Sequence, residues 1–285
     1  MTPRFGTLQA QAAAARLGER EQRLIMLIEQ FRYATSRQLA QLTVEHYSSL
    51  RSAQRQTNRG LEHLEADGLI TSLARTIGGR GGGSGSTVWT YSPEGAHVAD
   101  ALCGREDGRR TRAWHRTPSD RFLAHTLAVT DLNVRLHMLE VEGRLAAVTT
   151  QSEPACWRRH LDTCGNPIWL KPDLAATTMT VDGYTDRWFI ELDLDTENPD
   201  RIVKKSLQYQ DYRRSGKEQE QYGVFPAVIW IAPNEKRLRQ LRTRLTGDPR
   251  VNQRLFTVIT LEQFGSLVTA GVDSFTKETS GQKGG

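Results

Sequence analysis

Acidic side chains in one short stretch are the clearest candidates for chemistry in this sequence. Glu191, Asp193 and Asp195 alternate with apolar residues in the run IELDLD, and Asp173 follows Pro172 in the predicted strand before it. Side chains at alternate positions of a strand share a face, so the three carboxylates are predicted to lie together. Carboxylate oxygens suit Mg²⁺ or Mn²⁺, and Asp173 with Glu191 is therefore the predicted metal site. A metal ion there would lower the pKa of bound water and stabilise charge on a phosphodiester.

Two tyrosines on the next predicted helix are candidates for covalent chemistry. Tyr209 and Tyr212 share that helix with Lys204, Lys205 and Gln208. A tyrosine hydroxyl can attack a phosphodiester and form a phosphotyrosyl bond. Tyrosines at this spacing also pack a helix against a sheet, with their hydroxyls at its edge. Packing is the expected role.

Cysteine and histidine spacing offers one further candidate, a zinc site. Cys156, His160 and Cys164 follow the spacing Cys-x3-His-x3-Cys, and Cys103 or His115 is available as a fourth ligand. Structural zinc sites usually have closer cysteine pairs, so ordinary structural roles are expected. The odd, small number of cysteines also predicts a reducing compartment and a cytoplasmic protein.

Basic and amide side chains on one predicted helix are the candidates for nucleic-acid binding. The helix begins near Ser48 or Ser49 and extends to about Ala66, with an apolar inner row at helical spacing. Its outward side is basic in the opening turns and acidic near the end. A recognition helix enters the major groove by its first turns, where arginine and asparagine read base edges. The predicted DNA-contacting residues of this helix are Arg51, Gln54, Arg55, Asn58 and Arg59.

The elements around this helix predict a winged helix. The run EREQRLIMLIEQFR is a first amphipathic helix, and TSRQLAQL is a short second one, in which Thr35 and Gln38 fit a capping box. After the third helix, residues 69–77 and 87–91 are predicted strands on either side of GGRGGGSGS. Arg80 in that tip is predicted to meet a phosphate backbone or the minor groove. Such a unit can alternatively serve as a protein-interaction module.

The second half of the chain predicts a mixed α/β sheet. A long amphipathic helix, capped by Ser119, is followed by strands, and helices then alternate with strands. The order α-β-β-β-α-β-α-β indicates a mixed sheet with helices. The predicted strands cover 145–150, 168–178 and 184–194, and after a helix over 199–213 come the strand FPAVIWIA, a helix over 235–245 and the strand LFTVIT.

Composition fits a globular protein of two domains. The 285 residues are 38% hydrophobic and 25% charged, and the formal net charge of +5 permits nucleic-acid binding without requiring it. No run approaches the roughly 18 apolar residues of a membrane span, so no membrane association is expected. The predicted segments are a flexible arm over 1–20, the winged-helix domain over 21–101, a basic linker over 102–118, the α/β domain over 119–273 and a disordered tail over 274–285.

Several of these motifs resemble known families. The α-β-β-β-α-β order, with Asp173 after Pro172 and then Glu191, is similar to that of PD-(D/E)XK nucleases. The chain after the arm resembles the replication-relaxation family of bacterial plasmids and integrated elements. The residues that carry this likeness are the winged-helix start, His125, Asp131 and the runs KPDL, ELDLDTE and KKSLQYQDYRR. The resemblance implies a winged helix-turn-helix followed by a restriction-endonuclease-like domain, and a role in plasmid replication or DNA relaxation.

One position departs from the nuclease pattern. The superfamily places a lysine two residues after the glutamate, where it positions or activates the attacking water, and this chain has Asp193 there. Lys204 or Lys205 on the following helix is the predicted substitute, as in relatives whose lysine has migrated. If the domain is active, its catalytic set is predicted to be Asp173, Glu191, Asp193 and Lys204.

Three functions follow from the sequence. The first is a DNA-binding replication or mobilisation protein with a nuclease-like domain that is active or vestigial. The second is a transcriptional regulator whose C-terminal domain mediates dimerisation or partner binding. The third is a Mg²⁺-dependent endonuclease or nickase. The expected partners are double-stranded DNA, a second copy of the chain, and other replication or mobilisation proteins. A second copy is expected because proteins that read duplex DNA in this way often bind two-fold symmetric sites.

Overall fold

A computed structural model describes residues 5–73, 86–105, 118–162, 164–195 and 198–281. Arg80, His115 and most of the predicted linker lie outside the described residues. Contacts within the chain define two units, residues 1–134 and 135–285, and the division falls inside one long helix. Together they are a mixed α/β protein, with helices and a small antiparallel sheet first and a larger mixed sheet second.

Helices dominate the first unit. Its helices are α1 (Thr7–Arg16), α2 (Glu19–Phe31), α3 (Ser36–Gln41), α4 (Leu50–Ala66), α5 (Pro93–Leu102) and the first part of α6 (Asp120–Val141). Its strands are β1 (Ala34–Thr35), β2 (Ile70–Leu73) and β3 (Val88–Tyr91), in the sheet order β1-β3-β2 with antiparallel pairing throughout. Both predicted strands of the hairpin are present, although residues 74–77 of the first lie outside the described residues.

Local sequence signals explain how the helices of this unit begin and pack. Thr35 Oγ1 accepts the Gln38 N–H at 3.1 Å, while Gln38 Oε1 accepts the Thr35 N–H at 2.8 Å, which confirms the predicted capping box. Ser49 Oγ caps α4 by accepting the Ser52 N–H at 3.2 Å. The inner faces of α2 and α4 meet in one apolar core, to which Leu24, Ile28, Leu61 and Leu64 belong.

A five-stranded sheet organises the second unit. Its strands are β4 (Leu145–Ser152), β7 (Leu174–Thr180), β8 (Thr185–Leu192), β9 (Ala227–Ala232) and β10 (Phe256–Thr260). They lie in the order β10-β9-β8-β7-β4, antiparallel between β4, β7 and β8 and parallel between β8, β9 and β10. The helices of this unit are α7 (Pro199–Arg214), α8 (Lys217–Tyr222), α9 (Glu235–Gly247), α10 (Phe264–Gly281) and the last part of α6. Helix α10 includes most of the segment predicted as a disordered tail.

The structure corrects the predicted strand over 168–178. It contains two strands, β6 (Pro167–Leu170) and the start of β7, separated by 171–173, and β6 pairs with an unpredicted strand, β5 (Arg158–Leu161). The β5–β6 hairpin is a separate two-stranded sheet inserted between β4 and β7. Proline at position 172 has no N–H to donate to a ladder, which accounts for the break.

Candidate functional site

Helix α4 presents the predicted DNA-contacting residues on its outer side. Its inner positions are buried, with Ala53, Thr57, Leu61 and Leu64 below 1% exposed. The exposed residues on the opposite side include Arg51, Arg55, Asn58 and Arg59. The arginines and the asparagine are thus available to a ligand that approaches the opening turns of the helix.

Gln54 differs from its neighbours because it is half-buried. Its Nε2 donates to Asn58 Oδ1 at 3.0 Å and lies 3.4 Å from the backbone oxygen of Ser36 in α3. Gln54 therefore fixes the orientation of the Asn58 amide while it joins α4 to α3. The sequence had no signal for this difference, since Gln54 lies beside the exposed row of the helix.

Residues of helix α6 hold α3 through hydrogen bonds. Gln38 Nε2 donates to the backbone oxygen of Leu127 at 2.9 Å and to Asp131 Oδ1 at 2.7 Å, and Gln38 is only 4% exposed. The Thr130 hydroxyl lies 3.4 Å from the backbone oxygen of Tyr33. Asp131 has a structural role here, because it holds the short helix that precedes α4.

In the second unit, Asp173 and Glu191 come together at one end of the β7–β8 pair. Leu174 pairs with Ile190 in the antiparallel register, which places the preceding and following residues side by side. Asp173 Oδ2 accepts the backbone N–H of Leu192 at 2.8 Å. Glu191 is only 2% exposed, so its carboxylate depends on protein donors.

Helix α7 supplies those donors through two residues one turn apart. The Lys205 ammonium donates to Glu191 Oε2 and lies 3.8 Å from Asp173 Oδ1. The Tyr209 hydroxyl donates to Glu191 Oε1 at 2.5 Å. Residues four apart lie on the same face of a helix, so both reach the same carboxylate. We call Asp173, Glu191, Lys205 and Tyr209 the carboxylate–lysine cluster.

Lys205, and not Lys204, is the lysine at the two carboxylates. Lys204 is exposed on α7, whereas the side chain of Lys205 is 26% exposed and lies in the cluster. The sequence could not separate the two, because adjacent helix positions differ by about 100° in direction and the packed face of α7 was unknown. The catalytic role predicted for Lys204 stays a prediction, and Lys205 is the lysine that lies near both carboxylates.

Electrostatics in this cluster favours bound protons. Burial raises the pKa of Glu191, against the effect of the Lys205 ammonium, and the Asp173 carboxylate adds to the rise. Desolvation by itself would lower the pKa of Lys205, but the carboxylates of Glu191 and Asp173 raise it above its ordinary value. The rise at Glu191 is caused mainly by burial, and the rise at Lys205 is caused by the two neighbouring carboxylates. A cation bound beside these carboxylates would favour their ionised forms.

The predicted face of three acids is only partly present. Strand β8 ends at Leu192, and Asp193 is buried with its Oδ2 2.5 Å from Arg237 Nε in α9. Asp195 Oδ1 lies 3.2 Å from the same nitrogen, and its side chain is 54% exposed. Asp193 thus has a cation partner of its own, which its apolar neighbours did not reveal. Among the described residues, no group of three or more His, Cys, Asp or Glu side chains is placed to hold a metal ion.

The zinc candidates have separate surroundings. Cys156 is buried and its thiol donates to the backbone oxygen of Pro172 at 3.0 Å, while Cys164 is exposed. His160 is buried against the ring of Tyr212, with 5.2 Å between the ring centroids. Burial raises the pKa of the Cys156 thiol and lowers that of His160. A neutral buried thiol packs as a small apolar group.

Both tyrosines of α7 are buried and donate to carboxylates. Tyr209 donates to Glu191, and the Tyr212 hydroxyl donates to Glu218 Oε1 at 2.8 Å. Burial raises the pKa of each hydroxyl, because a phenolate would be desolvated beside a carboxylate. Rings and hydroxyls here serve packing and the hydrogen bonds of the core.

Comparison with known proteins assigns the chain to a family. The two units define a mixed α/β protein in which a helical unit with a small sheet precedes a five-stranded sheet. The family model described as Replication-relaxation matches residues 25–228, and the chain belongs to this family. No curated protein and no solved structure matches the chain. No helix among the described residues is long and apolar enough to span a membrane.

Proposed function

We propose that this chain is a DNA-binding protein of plasmid-like replication or mobilisation that reads double-stranded DNA through a winged helix. The order α2-β1-α3-α4-β2-β3, with β3 between β1 and β2, fits a winged helix in which α4 is the recognition helix. The name of the family to which the chain belongs agrees with a role in replication.

The exposure of the opening turns of α4 carries this proposal. Arg51, Arg55 and Asn58 are exposed on the side opposite to the buried row, where arginine and asparagine side chains can reach guanine and adenine edges. Acidic residues enter the helix only from Glu62 onward, so phosphates would meet no carboxylate in its first three turns. The same helix would be a poor reader if these side chains were buried in the fold.

A binding series on α4 tests the proposal. Arg55→Ala should weaken binding to a selected duplex site by about 1–3 kcal/mol, because a bidentate contact to a base is lost. Arg239→Ala, an exposed arginine of α9, removes the same charge from the other unit and is the matched control. Fluorescence anisotropy with the selected duplex and a scrambled duplex measures both variants. Equal affinities in Arg51→Ala, Arg55→Ala, Asn58→Ala and the unmodified chain would refute the recognition-helix assignment.

A second candidate function, metal-dependent DNA cleavage, is favoured by the carboxylate–lysine cluster. The order α6-β4-β7-β8-α7-β9, with β5–β6 inserted, agrees with the α-β-β-β-α-β order of the nuclease-like fold. The nuclease pattern has a lysine at the position of Asp193, and Lys205 on α7 supplies an ammonium group in its place. The cluster therefore contains the two carboxylates and the lysine that such a site requires.

The donor set fits Mg²⁺ in one respect. Mg²⁺ is usually held by one or two carboxylates, with water and substrate phosphate as the remaining ligands, and Asp173 with Glu191 offers those two. Bound there, the ion would supply Lewis-acid stabilisation of charge on a phosphodiester. Lys205 and Tyr209 already donate to Glu191, so they would orient this carboxylate and compete with a cation for its oxygens.

Nicking of supercoiled plasmid with Mg²⁺ or Mn²⁺ tests the second candidate. Open-circular product that is formed by the unmodified chain and by Lys204→Ala, but is lost in Glu191→Ala and Lys205→Ala, would support cleavage at this cluster. Product of equal yield in Glu191→Ala would assign the activity elsewhere. Absence of product in every sample would refute the second candidate and leave duplex binding as the proposed function of the chain.

A further inference from the structure

The β5–β6 hairpin has one buried face and one exposed face of unusual composition. The buried face is anchored by Arg158, whose Nε donates to Glu218 Oε1 at 2.8 Å, and by His160 and Leu170, which are 2% and 0% exposed. The alternation of side chains along both strands directs the other set outward. The outward set, with the residue that flanks each strand, is Trp157, Arg159, Leu161, Pro167, Trp169 and Lys171.

Aromatic and cationic side chains alternate on this outward face. Arg159 pairs with Trp169 across the strands, and Trp169 is 51% exposed. The rings of Trp157 and Trp169 meet edge to face at 6.4 Å between centroids, which supports Trp169 from one side. The Lys171 ammonium lies 4.1 Å from the centroid of the Trp157 ring. None of the six outward residues is acidic.

Leaving these groups in water has a cost that a ligand would recover. A half-exposed tryptophan keeps a large apolar ring in contact with solvent, and Leu161 beside it is 60% exposed. A ligand that suits the face must offer flat apolar rings for Trp169 and negative charge for Arg159 and Lys171. Unpaired nucleic acid offers both, because its bases have free π faces and its backbone carries phosphates. Paired bases in a duplex have no such faces to offer.

We propose that the outward face of the β5–β6 hairpin binds single-stranded nucleic acid, with a base stacked on Trp169 and phosphates at Arg159 and Lys171. Its place in the chain suits DNA processing: only Pro172 separates Lys171 from Asp173 of the carboxylate–lysine cluster. A strand held on the hairpin would enter the second unit beside its two carboxylates. This site is distinct from the duplex-reading surface of α4, and the two are measured separately.

Titration of the full chain with a fluorescent oligothymidine of about 20 nucleotides tests the proposal. Trp169→Ala should weaken binding roughly 5- to 100-fold, the usual effect of removing one stacking platform. Trp169→Phe keeps a ring and should retain most of the affinity. Tyr184→Ala removes an aromatic residue that is 73% exposed on the same unit and should have no effect. Arg159→Ala should reduce the slope of log affinity against log salt by about 0.7, one phosphate contact on a single strand.

Two outcomes would overturn the proposal. One is oligothymidine affinity that is the same in Trp169→Ala and in the unmodified chain, with the circular dichroism of both unchanged. The other is no oligothymidine binding by the unmodified chain at low salt. A fluorescent duplex titrated in parallel keeps the two proposals apart, because Arg55→Ala should affect only the duplex and Trp169→Ala only the single strand.

Discussion

Replacing Lys205 with alanine removes the ammonium group that neutralises the carboxylate–lysine cluster. Lys205 donates to Glu191 and lies 3.8 Å from Asp173, and Glu191 is only 2% exposed. Lys204→Ala is the matched control, since it removes the same charge from an exposed position of the same helix. Both variants remove one lysine from α7, but only Lys205→Ala takes the ion-pair partner from a buried carboxylate.

The size of the effect follows from the burial of both partners. Breaking a buried ion pair by removing one partner costs about 3–5 kcal/mol, because the remaining charge is desolvated without compensation. Lys205 is 26% exposed and Tyr209 still donates to Glu191, so the lower end, about 3 kcal/mol, applies to Lys205→Ala at a pH above about 8, the raised pKa of Glu191. An exposed lysine contributes within about 0.5 kcal/mol, and Lys204→Ala should change the stability by no more than that.

Urea unfolding monitored by tryptophan fluorescence measures both variants. Trp188 and Trp230 are 1% and 3% exposed in the second unit, so their emission follows the unfolding of its core. Adding Glu191→Gln to Lys205→Ala should recover part of the loss, because the uncompensated charge is removed together with its partner. Lowering the pH towards about 8, the raised pKa of Glu191, should narrow the gap between Lys205→Ala and the unmodified chain, since protonation of Glu191 removes the same charge.

Equal stabilities of the Lys205→Ala and Lys204→Ala variants would refute this reasoning. That result would mean that water or a bound proton compensates Glu191 without Lys205. A gap that widens at low pH would also contradict it, because the penalty is assigned to an ionised carboxylate.

Two further predictions concern packing and thiol chemistry. Gly95→Ala should destabilise the first unit by at least about 1–3 kcal/mol in thermal unfolding, because its Cβ would lie 1.8 Å from the backbone oxygen of Leu69. The control Gly247→Ala, with no atom within 4 Å of the new Cβ, should be neutral or slightly stabilising. Equal shifts of the melting temperature in the two variants would contradict the close approach at Gly95. Alkylation followed by mass spectrometry should label exposed Cys164 rapidly and Cys156 only after denaturant is added. The reason is that burial raises the pKa of Cys156 and blocks access of the reagent to its thiol. Comparable labelling of both thiols in the folded chain would show that Cys156 is open to solvent.

Periodicity determined most of the helices and the α/β character. The helical spacing of apolar residues placed α4 within one or two residues, and the capping pattern of Thr35 and Gln38 placed the start of α3. These signals are local, because a helix face or a cap depends on residues at most four positions apart. The acid pair Asp173 and Glu191 was also visible, since each lies in a distinct strand pattern.

Long-range pairing decided what the local patterns left open. Which lysine meets Glu191 depends on the face of α7 that packs on the sheet. Apolar side chains of α7 pack with residues of α9, β8 and β9, so the tertiary structure and not α7 alone determines this face. Asp193 has the same local pattern as Glu191, yet its partner is Arg237, which is 44 residues away along the chain. The β5–β6 hairpin likewise acquires its exposed tryptophan face only when its other face packs on Tyr212 and Glu218. The sequence by itself determined the elements and the residue types of the sites, and the tertiary structure determined which charges meet, because such meetings join residues that no local interaction relates.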